Sequence, residues 1–130
     1  MRLLFVLLLG LVVGAVAANM VGNTLRLRHA YTRGVMAVMQ HHLAALQDEA
    51  HGGQCPAATT MLHLRRMQAA STDILPAFGA GVDAGFHKHA DRLHDALGQA
   101  LRQTPADCPA LAAAAQRIGD TCDACHRIYR

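Results

Sequence analysis

The sequence predicts an all-α fold, an antiparallel up-down-up-down bundle of four helices preceded by an N-terminal signal peptide. Apolar residues recur at helical spacing in four segments, and no alternating β-branched run of useful length is present. Breaks that contain Gly and Pro separate the segments, and helices usually end at such breaks. Because the breaks are short, successive amphipathic helices are expected to pack as antiparallel neighbours.

The N-terminus has the pattern of a secretory signal peptide. Arg2 precedes an unbroken apolar run over 3–18, which closes with the small-residue cleavage pattern at 15–17. The run is shorter than the roughly 20 residues that a membrane-spanning helix needs. An uncleaved anchor is the alternative, because further apolar residues follow closely. We assign 1–17 to the signal peptide and 18–130 to a single domain.

The four helical segments of this domain are separated by breaks at 51–56, 75–85 and 104–109. The predicted helices cover 23–50, 57–75, 86–103 and 109 to the end. The predicted core face of the third helix, the clearest of the four, comprises Phe86, Ala90, Leu93, Leu97 and Leu101. The predicted core face of the first helix comprises Leu25, Thr32, Met36, Met39, Leu43 and Leu46.

The sequence gives no support to two broad classes of function. The formal net charge is +3, there is no basic run, and the chain holds 3 Phe, 2 Tyr and no Trp. Nucleic-acid binding therefore has no support. No nucleophile with a neighbouring base and no paired carboxylates stand out, so we expect no catalytic turnover.

The chain ends in TCDACHRIYR, which contains a C-x-x-C-H motif. In a helix, Cys122, Cys125 and His126 point to nearly the same side. This arrangement suits a c-type haem, in which two thiols bond the porphyrin edge and the imidazole ligates the iron. A redox dithiol usually follows a strand. Structural zinc sites usually need a second pair of ligands. Two core cysteines beside an unrelated histidine are the third alternative, although free thiols are unusual in an exported protein.

The other two cysteines, Cys55 and Cys108, have matched settings. Each precedes a proline at the start of a predicted helix, one the second and the other the fourth. An even pair in an oxidising compartment suggests a disulfide. These helices are diagonal in the predicted bundle, so the connecting segments must lean inward to bring the Cα atoms within about 7 Å.

Four other histidines, His41, His42, His87 and His94, are interpreted as surface residues. His41 and His42 lie outside the predicted core face of the first helix. His87, Asp91, His94 and Asp95 share the face of the third helix opposite its leucines. Their spacing could hold a divalent metal, but a solvated face is the simpler interpretation because four firm ligands are not evident.

A C-x-x-C-H in the last helix of a four-helix bundle resembles the class II cytochromes c, that is, cytochrome c′ and its low-spin relatives. CDACHRIYR is similar to the family pattern C-x-A-C-H-x-x-[FY]-R, and YTRGVMAVMQHHL is similar to the segment that covers the distal face of the haem. The resemblance implies one covalent haem c on Cys122 and Cys125, with His126 as axial ligand. It also implies that Met36 lies over the distal face and that Arg130 lies on the proximal side.

The chain departs from this family near the haem propionates. An Arg is usual four residues before the distal side chain, where this sequence has Thr32, and Arg33 is one step out of register. Either Arg33 reaches round to the propionates or the true alignment places Ala37 over the iron. In an up-down-up-down bundle, Phe78 lies at the same end as His126 and is expected to cover the haem edge.

Function depends on the iron ligands. If the Met36 sulfur ligates the iron, the protein is a six-coordinate electron carrier, and Met/His ligation raises its potential. If Met36 only covers the iron, the five-coordinate site binds nitric oxide or carbon monoxide, as cytochrome c′ does. The expected partners are redox proteins and these gases, and the resemblance makes a homodimer through the first two helices plausible. The signal peptide predicts a periplasmic location, membrane-anchored only if the signal is retained.

Overall fold

Five helices make up the secondary structure of the computed structural model, which describes residues 2–129 and all of their side chains except those of residues 3, 5 and 28. They are α1 (Arg2–Gly52), α2 (Ala57–Ser71), α3 (Ile74–Phe78), α4 (Ala84–Gln103) and α5 (Cys108–Tyr129). No strand occurs in this range. The all-α prediction is therefore confirmed.

Residues 2–31 form one unit and residues 32–129 belong to a second. The first unit is helical, and large apolar side chains along it are exposed, Leu25 included. Leu25 is therefore not the core residue that the sequence pattern predicted. By length and composition, α1 is the one helix in residues 2–129 that could cross a membrane, and its best window has a mean hydropathy of 2.0. A signal sequence meets the same criterion, so the cleaved signal and the retained anchor both stay predictions.

The second unit is a bundle of the C-terminal part of α1 with α2, α4 and α5. Its core consists of sixteen side chains that are at most 9% exposed: Val35, Met39, Leu46, Leu64, Met67, Ile74, Ala77, Phe86, Ala90, Leu93, Leu97, Ala100, Leu111, Ala114, Ala115 and Ile118. Large aliphatic side chains of this kind each stabilise a fold by about 1.5–3 kcal/mol when buried. The short helix α3 closes the bundle against α4.

Contacts at the helix ends show that neighbouring helices run in opposite directions. Glu49 at the end of α1 accepts a hydrogen bond from Thr60 in the first turn of α2, with an Oγ1–Oε2 distance of 3.0 Å. Asp83 at the start of α4 accepts one from Tyr129 in the last turn of α5. The start of α4 and the end of α5 thus lie at one end of the bundle. The predicted antiparallel arrangement holds for both pairs.

Polar side chains and special backbone angles set the helix boundaries. Gly53 has a φ of 69° and follows the end of α1, a conformation that glycine adopts without strain. Asp83 and Asp107 cap α4 and α5, since each carboxylate accepts a backbone N–H three residues later at 2.8 Å. Such caps stabilise a helix because they supply an acceptor to a backbone N–H that has no partner within the helix. These aspartates explain why α4 and α5 begin slightly before the predicted positions.

The second predicted helix, 57–75, is wrong at its C-terminal end, because α2 stops at Ser71 and α3 begins at Ile74. The hydroxyls of Ser71 and Thr72 donate to backbone carbonyls three residues earlier, both at 2.7 Å. Such local bonds compete with helix continuation. Pro76 has no N–H to continue the hydrogen-bond ladder but is tolerated in the first turn of α3. Part of the predicted 75–85 break is therefore helical.

Cys55 and Cys108 form a disulfide, with Cα atoms 5.5 Å apart. Cys55 lies just before α2, and Cys108 is the first residue of α5. The bridge therefore joins the N-terminal ends of two helices. It is about 20 Å along α5 from Cys122, at a rise of 1.5 Å per residue.

Candidate functional site

The last three turns of α5 carry the C-x-x-C-H motif in regular helix. The thiols of Cys122 and Cys125 are free and half-buried, and both side chains pack against the hydrophobic core. His126 is exposed. The helix thus holds two thiols about one turn apart with an imidazole directly after the second, as the sequence predicted.

The surroundings of the two thiols favour their neutral form. Burial raises the pKa of Cys122 to about 11, and the neighbouring Asp123 and Cys125 add to this. Burial also raises the pKa of Cys125. Redox and nucleophilic cysteines depend on a lowered pKa, because the thiolate is the reactive form. The structure therefore gives no support to the interpretation as a redox dithiol.

The geometry of the motif also separates a haem from a single bound metal ion. Within residues 2–129, no group of three or more His, Cys, Asp and Glu side chains is arranged to hold a metal ion. A tetrahedral zinc site needs such convergence. A porphyrin does not, since the thiols bond its edge while the imidazole reaches its centre. The donor set on α5 therefore fits a covalently attached haem.

The first-helix candidates differ in their exposure. Met36 is half-buried and packs against the core, whereas Ala37 is exposed. This favours Met36 over Ala37 as the side chain that faces the bundle interior. Thr32 Oγ1 donates to the carbonyl of Ala77 at 2.9 Å, which holds the start of this segment against α3. Arg33 is exposed, and its reach toward the propionates stays a prediction.

Phe78, predicted to cover the haem edge, ends α3 and is half-buried. Its ring lies 4.6 Å from that of Phe86 on α4, centroid to centroid, and Phe86 lies 5.3 Å from Tyr129 on α5. The three rings form a continuous aromatic row beside the end of α5. Arg130, the predicted proximal-side residue, lies outside the described residues.

The interpretation of His42 as a surface residue is wrong, whereas His41 is exposed as predicted. His42 is 5% exposed, and its Nδ1 lies 2.9 Å from Nδ1 of His63 on α2. Nε2 of His63 lies 3.9 Å from Oε1 of Glu49. A polar side chain can be buried here because the partner histidine supplies a hydrogen bond. The pair thus links α1 to α2 inside the bundle.

This histidine pair makes stability depend on pH. Burial lowers the pKa of His42 below its ordinary 6.5, and His63, His41 and Arg66 lower it further. The unfolded chain therefore binds this proton more readily than the folded protein. The contribution of His42 is present above about pH 6.5 and is lost as the pH falls through its folded-state pKa.

We expect the unfolding free energy of the protein to fall between about pH 7 and about pH 5, and to fall less steeply in His42→Gln. Denaturant titrations across this range measure the slope. His51→Gln, at an exposed position nine residues further along the same helix, serves as control and should keep the wild-type slope. Equal slopes in all three proteins would contradict the assignment.

His94 differs from the solvated residue that the sequence predicted. Its Nδ1 lies 2.8 Å from Ser71 Oγ and its Nε2 lies 2.7 Å from Gln68 Nε2, both on α2. His94 therefore joins α4 to α2 instead of facing solvent with His87. The divalent-metal alternative for this face loses one of its four candidate ligands.

Comparison with known proteins shows similarity in structure only. No protein-family model matches the chain, and no curated protein is similar to it in sequence. A cytochrome c prime variant from Alcaligenes xylosoxidans, in which isoleucine replaces a leucine and nitric oxide is bound, matches with a TM-score of 0.70 at 22% identity. The match covers 79% of this chain and 93% of that one.

Two further solved structures agree. Cytochrome c′ from Rubrivivax gelatinosus matches with a TM-score of 0.65 at 22% identity, covering 75% of this chain and 90% of the other. A second variant from Alcaligenes xylosoxidans, in which glycine replaces a leucine and nitric oxide is bound, matches with a TM-score of 0.69 at 24% identity. That match covers 79% of this chain and 94% of the other. Identities this low establish the architecture and not the site. The chain therefore has the four-helix-bundle fold of the cytochromes c′.

Proposed function

We propose that this protein is an exported class II c-type cytochrome of the cytochrome c′ kind, with one haem c attached to Cys122 and Cys125. The observation that carries the proposal is the position of the C-x-x-C-H motif. It lies in the last turns of the last helix of a bundle with the cytochrome c′ fold, and its two thiols are half-buried against the core. Solved structures with this fold include nitric oxide complexes.

The chain's own residues have distinct roles in this proposal. The Cys122 and Cys125 thiols would hold the haem through two thioether links, and the His126 imidazole would bind its iron. Met36, from α1, would cover the other face of the haem, while Phe78 would shield its edge. When bound, the haem supplies a redox-active iron that carries an electron or binds a diatomic gas.

Gas binding at a five-coordinate iron is the form we favour, and electron transfer through a Met/His-ligated iron is the second candidate. Met36 packs against the core of the bundle, and thioether side chains often fill such positions without ligating a metal. The pH 7 ferrous absorption spectrum separates the two forms, because a sixth ligand produces a low-spin spectrum.

Met36→Ala is expected to accelerate carbon monoxide binding to the ferrous protein. Moving an apolar side chain off its rotamer costs about 0.5–1.5 kcal/mol, so its removal should raise the association rate by about two- to tenfold. Flash photolysis measures this rate. Val38→Ala, at an exposed position on the same helix, is the control. A wild-type protein that binds no carbon monoxide until Met36 is replaced would instead establish the electron carrier.

We propose that the protein is located in the periplasm and that it catalyses no reaction. Its proposed partners are redox proteins or diatomic gases. Support for export comes from the N-terminal apolar run and from the disulfide between Cys55 and Cys108. N-terminal sequencing of the purified protein tests the location. A mature chain beginning near Ala18 indicates cleavage, and an intact Met1 indicates a retained anchor.

A haemochrome spectrum and an intact mass of protein produced in a host with haem-ligation machinery test the central proposal. One covalent haem per chain is expected. A colourless protein with free thiols at Cys122 and Cys125 would overturn it, and would revive the haem-free bundle as the explanation.

A further inference from the structure

One carboxylate oxygen joins the start of α4 to the end of α5. Asp83 Oδ1 accepts a hydrogen bond from the backbone N–H of Phe86 at 2.8 Å. The same oxygen accepts a second bond from the Tyr129 hydroxyl at 2.7 Å. The Tyr129 hydroxyl and the Phe86 amide both lower the pKa of Asp83, so the acceptor is a carboxylate at neutral pH.

The ring of Tyr129 is also held in position by its neighbours. It meets the ring of Phe86 edge-on, at 87° and 5.3 Å between centroids. The His89 ring, also on α4, lies 5.9 Å from it between centroids. Gly85 leaves room for the Tyr129 hydroxyl, because a Cβ at position 85 would lie 2.5 Å from Tyr129 Oη. A side chain at position 85 would therefore displace the hydroxyl from Asp83.

The tyrosine is close in the helix to the candidate haem residues. Tyr129 follows Cys125 by four residues and His126 by three, so all three lie near one side of α5. Helix ends open readily unless tertiary contacts hold them. The contact with Asp83 is thus placed to hold the turn that contains the second thiol and the imidazole.

We propose that Tyr129, held by Asp83, is a positioning residue that fixes the direction of the His126 imidazole toward the haem iron. This rests on the proposed function. The residues act only through placement. Asp83 holds the hydroxyl, Tyr129 holds the last turn of α5, and that turn sets where His126 points.

Three full-length variants distinguish an effect on the orientation of His126 from a simple loss of stability. Tyr129→Phe removes the hydroxyl and keeps the ring. Gly85→Ala keeps every polar group but displaces the hydroxyl, and alanine does not weaken a helix. Asp107→Asn is the matched control, because Asp107 makes the same kind of cap but lies at the opposite end of α5 from Tyr129.

Two measurements test the proposal. In the haem-loaded ferrous protein, the iron–histidine stretching band in resonance Raman should shift or broaden in Tyr129→Phe and Gly85→Ala but not in Asp107→Asn. In the haem-free full chain, backbone amides of the last turn of α5 should exchange about two- to tenfold faster in the first two variants.

The outcomes are distinct from those that test haem attachment. Failure of the wild-type chain to acquire haem would contradict the proposed function. It would also remove the proposed role of Tyr129 in directing His126 toward the iron. Faster exchange with an unchanged Raman band overturns the positioning role, since the contact then holds only the helix end. Unchanged exchange in Tyr129→Phe overturns the proposal outright.

Discussion

Replacing Cys122 and Cys125 together with serine is expected to abolish covalent haem attachment. Without the thiols no thioether can form, and a haem held only by an imidazole is lost on denaturation. Haem staining of denaturing gels and intact mass should both show haem falling from one per chain to background. The fold should persist, because both side chains are only half-buried and serine is similar in size.

The matched control for this experiment is Cys55→Ser with Cys108→Ser, which removes the other two cysteines. Cys108 lies about 20 Å from Cys122 along α5, and Cys55 is bonded to Cys108, so haem attachment should be retained. A haem band that survives denaturation in the Cys122 and Cys125 variant would contradict the attachment site. Loss of the band in both double variants would point to a general failure of folding.

The second large effect is expected on stability. Removing the Cys55–Cys108 disulfide should lower the unfolding free energy by about 4 kcal/mol, because it closes a loop with a sequence separation of 53. Denaturant unfolding of Cys55→Ser with Cys108→Ser, compared with the wild type in the same haem state, measures the loss.

Sensitivity to reductant provides the control for the disulfide. Dithiothreitol should destabilise the wild type to a similar extent and leave the double variant unchanged. Alkylation under non-reducing conditions should label neither Cys55 nor Cys108 in the wild type. Labelling of both, or an unfolding midpoint that the substitutions do not move, would contradict the bridge.

The helices of the C-terminal half could be predicted closely from periodicity. Four of the five residues predicted for the core face of the third helix are buried, and the fifth, Leu101, is partly buried. The pattern is clear there because apolar residues on α4 recur at helical spacing and polar or charged residues occupy most positions between them. The capping aspartates, Asp83 and Asp107, then set the starts of α4 and α5.

The core face of α1 was predicted only in part. Met39 and Leu46 are buried as predicted, but Val35 and His42 are buried with them, while Met36 and Leu43 are only partly buried. Positions 35, 39, 42 and 46 follow helical spacing, so the signal was present in the sequence. A histidine at one of these positions concealed it. Its burial is favourable only because His63 lies opposite on another helix.

By itself, the sequence determined the all-α class, the approximate boundaries of α4 and α5, and the C-x-x-C-H motif at which we propose that haem is attached. Each depends on residues close together in the chain, and helical periodicity and C-x-x-C-H spacing report such local relations directly. Only the tertiary structure decided the His42–His63 pair and the contact of Tyr129 with Asp83. These depend on how helices distant in sequence cross and align, and the periodicity of a single helix contains no information about its partner's register.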